Sequence, residues 1–132
     1  DALSTTGGAV QSLEVPYDLL PGAISDQITL VAGQAVFVMG VNTTIGDRGV
    51  GHATLLRSGI APTFIEWTGV ESPAAAAITS GFSGVPGTHI LFIDFSHTVD
   101  IEVGPLSTAG QPTIQLHNTN AAAQTGQIKL IY

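Results

Sequence analysis

An all-β fold, a single-domain two-sheet β-sandwich of jelly-roll type, is what three features of this 132-residue sequence predict. Roughly eight to ten short apolar stretches with strand-like alternation follow one another, separated by turn residues. No stretch carries sustained helical periodicity; the alanine run 74–77 behind Pro73 is long enough for one turn of helix at most. The length suits one core that buries about two-thirds of the unfolded surface, which argues for one domain. An up-and-down barrel is the alternative with the same strand count.

In chain order, residues 1–9 (DALSTTGGA) are small, polar and Gly-containing, the composition of a flexible arm, so the sandwich is expected over 10–132. In an assembly such an arm can pair with a neighbour's sheet edge. Over 10–17, Leu13, Val15 and Tyr17 alternate with Ser12, Glu14 and Pro16, and the proline predicts an edge strand. LLPG at 19–22 reads as a turn, and Ile24, Ile28 and Leu30 as a second strand closed by Ala32-Gly33. In QAVFVMGV, Ala35, Phe37, Met39 and Val41 share one face and Val36 and Val38 the other, and Gly40 predicts a bulge or a close backbone approach. The segment 46–51 is expected to be a glycine-punctuated loop leading to a strand at 52–58. Over 62–68, Phe64 and Glu66 oppose Ile65 and Trp67, and 81–87 is expected to be a loop.

Residues 89–103 (HILFIDFSHTVDIEV) join two kinds of strand. The first half is apolar on both faces, with Leu91, Ile93 and Phe95 opposite Ile90 and Phe92. The second half alternates, with Val99, Ile101 and Val103 predicted inward and Thr98, Asp100 and Glu102 predicted wet. Ile114 and Leu116 then alternate with Gln115 and His117, and in QIKLIY Ile128, Leu130 and Tyr132 oppose Lys129 and Ile131.

Composition restricts the partners. Only 10% of residues are charged, against about 25% in typical soluble proteins, so part of the surface is expected to be covered by something other than water. The longest unbroken apolar run is 35–39, far short of the roughly 20 residues of a spanning helix, so membrane insertion is not expected and other subunits are. The net charge is −7 with Arg48, Arg57 and Lys129 as the cations, which argues against nucleic acid, whose phosphates need clustered Lys and Arg. The absence of cysteine excludes disulfides and thiolate metal sites. A chain beginning at Asp1 without Met permits a processed secreted protein or only a trimmed chain; the expected location is extracellular or at a particle surface.

No catalytic motif is present: G-x-S-x-G, HExxH and Walker A are all missing, and GVGHAT at 49–54 breaks the dinucleotide fingerprint at its third glycine. No catalytic residue, cofactor or metal site is therefore assigned, and the expectation is a non-enzymatic protein. Asp94, His97, Asp100 and Glu102 are the nearest approach to a hard-cation cluster, but solvation alone accounts for acids on the wet side of a strand. Trp67, with Glu66 and Glu71 near it, is the candidate for a sugar-stacking platform, against the ordinary reading of a core tryptophan. Asn42-Thr43-Thr44 matches a glycosylation sequon, a pattern short enough to recur by chance.

The succession of short apolar strands, Gly-rich loops and a C-terminal strand resembles the jelly-roll trimerisation domains of C1q and tumour-necrosis-factor type. The resemblance implies a fold and a mode of self-association, and carries no binding residue with it. The functional expectation is a structural protein assembling with copies of itself as a trimer, surface decoration or extracellular filament. Its candidate interface is the second apolar face of the two dry strands, Val36, Val38, Ile90 and Phe92. The alternative is a carbohydrate-binding module or lectin of the same fold, with glycans as ligands.

Overall fold

A computed structural model describes residues 11–30, 36–57, 65–70, 78–93 and 98–132. Ten strands follow in order: β1 Ser12–Leu19, β2 Ile28–Thr29, β3 Val36–Asn42, β4 Asp47–Arg57, β5 Ile65–Val70, β6 Ile78–Ser83, β7 His89–Phe92, β8 Val99–Val103, β9 Thr113–Asn118 and β10 Gln124–Ile131. No helix occurs among the described residues. A six-stranded sheet runs β1-β10-β3-β4-β5-β6 and a four-stranded sheet β2-β9-β8-β7. Among the described residues every strand pairing is antiparallel. Alternate residues of both sheets meet in one core, as in a β-sandwich: Val38, Leu130 and Ile128 from the large sheet, Ile101, Ile114 and Leu116 from the small one.

Two returns complete the sheets. Meander β3-β4-β5-β6 is joined by β10, which comes back beside β3, and meander β7-β8-β9 is flanked by β2. β1 lies at the large sheet's edge, as Pro16 predicts. Gln11 and Tyr132 exchange both backbone hydrogen bonds, 2.7 and 2.9 Å, and such bonds recur at every second residue of an antiparallel pair. Ser12, Glu14, Pro16 and Asp18 therefore turn their main-chain groups to the open edge. Pro16 has no N–H to offer there, and the flanking carboxylates discourage indiscriminate strand addition.

Gly40 sits where the β3–β4 register shifts between Met39 and Val41. The extra residues of that shift lie on β4, since β3 stays in unbroken register with β10 through Gly40, and a Cβ on Gly40 would lie 2.6 Å from Ile93 Cβ, so the close approach is the reason that holds. Three local expectations are revised. The segment 46–51 is mostly strand, since β4 begins at Asp47. β6 runs through Gly81 to Ser83 and leaves the turn to 86–87. The expected strand from Ile24 to Leu30 shrinks to β2 and an isolated bridge between Ile24 and His117. The proposed arm 1–9, the 32–33 turn and the alanine run 74–77 lie outside the described residues.

Candidate functional site

The two sheets present outer faces of opposite character. On the large sheet, Val36 and Val38 are 1% and 0% exposed while Phe37 and Met39 are 49% and 40% exposed. This corrects the candidate interface by one residue. Val38 pairs with Leu130, a core residue of β10, and that register turns both valines inward and Phe37 and Met39 outward. Ile131 is the register neighbour of Phe37, and Lys129 that of Met39. The apolar strip therefore continues on to β10, with Lys129 beside it, 3.9 Å from Glu14 on β1.

Ile90 is likewise withdrawn from the candidate interface, being fully buried within the chain. The pairing of β7 with β8 shifts between His89 and Leu91, and a bulge adds one residue to the strand and inverts its alternation. Ile90 and Ile93, three positions apart, consequently both enter the core. Phe92 stays half-buried on the outer face, with its ring centroid 4.6 Å from that of His89.

The small sheet's outer face overturns another expectation. Asp100 and Glu102 alternate with core residues, as predicted, but each is only 7% exposed. A buried carboxylate costs several kcal/mol unless paired and hydrogen-bonded. Here the partners come from the strands on either side. His89 Nδ1 on β7 meets Asp100 Oδ1, and His117 Nδ1 on β9 donates to Glu102 Oε2 at 2.7 Å. Gln115 Nε2 donates to Glu102 Oε1 at 3.2 Å. Register places His89 opposite Glu102 and His117 opposite Asp100, so both His–carboxyl contacts are diagonal and cross-tie three strands. Burial raises the Asp100 carboxyl above its ordinary value of 3.8. The hydrogen bond and charge of His89 hold it down in part, and neighbouring Glu102 adds to the rise.

Among the described residues no group of three or more His, Asp or Glu side chains is arranged to hold a metal ion. Asp94 and His97 of the cluster considered above lie outside the described residues, as does Glu71. Trp67 is 8% exposed, and its ring lies against Gly81 on β6, where a Cβ would collide with it. A sugar platform needs an open ring face, which Trp67 does not present. Glu66 is on the opposite face of β5, in register with exposed Phe82.

Asn42 is fully buried. Its Nδ2 donates to Thr98 Oγ1 and Gln124 Oε1, both 2.7 Å, and its Oδ1 accepts from the Thr44 amide at 3.0 Å. The amide a glycan would need is thus committed to joining β3, β10 and the approach to β8. Asn118 plays a matching role at the same end, donating to the carbonyls of Leu19, Leu20 and Ala122. Neither amide network is visible in the sequence, because the partners lie up to 99 residues apart.

Comparison with protein-family models, with curated proteins and with solved structures finds no match to this chain. Its class is therefore defined by its architecture: an all-β protein of two antiparallel sheets around one core.

Proposed function

We propose that the chain is a non-enzymatic structural subunit that assembles with copies of itself through the outer face of the six-stranded sheet. The observation that carries the reading is the exposure of Phe37 and Met39 on β3, an inner strand, next to Ile131 on β10. The solvated face of an antiparallel sheet is ordinarily polar, and large apolar side chains in mid-sheet mark a contact surface. The 10% content of charged residues fits a surface that is partly covered. An interface of standard size takes about 800 Å² from each partner, about an eighth of the 6396 Å² the chain exposes.

A closed trimer on the outside of a cell or particle, with a jelly-roll path, is the finer form of this proposal. The placement of β10 beside β3 and of β9 beside β2, with four of the connections passing from sheet to sheet, bears on the strand path alone. The two meanders give the large sheet more strands than the four of a simple eight-stranded jelly roll. Multi-angle light scattering at micromolar concentration tests the reading. A multiple of 13.5 kDa is expected, and the mass of one chain would refute self-assembly.

A further inference from the structure

Besides the two outer faces, the sandwich has a flank left open among the described residues, where β1, the edge of the large sheet, stands beside segment 24–28, the edge of the small one. Between them is a cleft of about 430 Å³. Its lining includes the apolar residues Val15, Ile24 and Ile28, with Asp18 on one bank and Asp26 on the other. Both aspartates and Ile24 are exposed.

The main chain on both banks is turned toward this opening. On β1 the alternation set by the Gln11 and Tyr132 pair directs the N–H and C=O of Asp18 to the edge. On the other bank Ala23 accepts from Asn118 N at 2.9 Å and Ser25 donates to Leu116 O at 2.8 Å. Ile24, between them, turns its own N–H and C=O away from β9. A cleft with apolar walls, carboxylates on both banks and edge-directed peptide groups matches an extended chain whose side chains alternate between apolar and cationic.

We propose that this cleft binds such a segment, a short extended peptide with basic residues flanking an apolar one, contributed by a molecule other than this chain. Charge selects the partner. This chain carries −7 with three cations, one of which, Lys129, lies by Glu14 on the large sheet's outer face, so a second copy is a poor electrostatic match for an acidic rim. Pro16, lacking an N–H, offers only an acceptor at the edge and limits the docked strand to a short register around Asp18.

Fluorescence polarisation with a labelled peptide alternating valine and lysine tests the proposal. The expected result is saturable binding that weakens as salt rises, with no binding of the valine and glutamate counterpart. In the Asp18→Asn/Asp26→Asn double variant, two ion pairs are lost and affinity should fall about tenfold. Both positions are exposed, and an unchanged circular dichroism melt keeps the comparison with wild type valid. Absence of saturable binding, equal binding by the double variant, or full competition by lysine amide alone, which would reduce the site to a cation pocket, would each overturn it.

Discussion

The outer faces of the two sheets look alike in residue type only if the strands are taken one at a time. On the large sheet, β3 holds Val36 and Val38 inward and shows Phe37 and Met39; on the small sheet, β8 holds Val99, Ile101 and Val103 inward and carries Asp100 and Glu102 outward. The apolar pair is the exposed one and the charged pair is the buried one. Hydrophobicity therefore does not decide exposure at these positions. Partner strands decide it: β9 and β7 each bring a histidine to the carboxylates, whereas Phe37 and Met39 have Ile131 and Lys129 as their β10 register neighbours and remain open. One face has its polar demands met inside the chain. The other leaves apolar surface exposed.

The largest test of this contrast is Val38→Asp. It places an unpaired carboxylate at a fully buried position and should cost more than about 4 kcal/mol, abolishing the fold as read by circular dichroism and urea denaturation. A folded variant would mean that β3 had been placed with the wrong face inward. Phe37→Asp, one residue away, should leave the monomer fold intact and lower self-affinity by about 2 kcal/mol or more, as expected for a central aromatic at a contact.

Removal of one partner on the small sheet comes next. Glu102→Ala leaves the His117 and Gln115 donors without their acceptor and should destabilise by about 1–3 kcal/mol in urea unfolding. A double-mutant cycle with His117→Ala should return a coupling energy above about 0.5 kcal/mol, and a value near zero would dismiss the cross-tie.

The smallest effect is a slope. Because the folded chain raises the Asp100 carboxyl above 3.8, it binds more protons than the unfolded chain between that value and the raised one. That contribution to stability is present at acid pH and is lost as pH rises through the window. Urea midpoints measured from about pH 4 upward should show it for wild type, and Asp100→Asn should remove this component. Identical pH profiles for the two proteins would contradict the assignment.

Legibility followed the same division. Pro16 announced an edge because it acts on its own backbone, whatever surrounds it, and Gly40 announced a close approach, which Ile93 makes. The alternation of Val99, Ile101 and Val103 announced a core face because the other face was polar. In β3 both faces are apolar, so alternation could not choose between Val38 and Phe37, and the register with Leu130 made the choice. The bulge that sends Ile90 inward has no glycine to mark it. Asp100 and Glu102 read as wet because their histidine partners are 11 and 15 residues away, and strand pairing alone brings them together. Longer separations, 56 to 99 residues, hid the cross-strand partners of Asn42 and Asn118.

Sedimentation velocity at micromolar concentration, run on wild type, Phe37→Asp and Glu102→Gln in parallel, tests the central claim most directly. Assembly through the outer face of the large sheet predicts a multiple of the chain mass for wild type and Glu102→Gln and 13.5 kDa for Phe37→Asp. A wild type that sediments as one chain, or a Phe37→Asp variant that stays assembled, would contradict it.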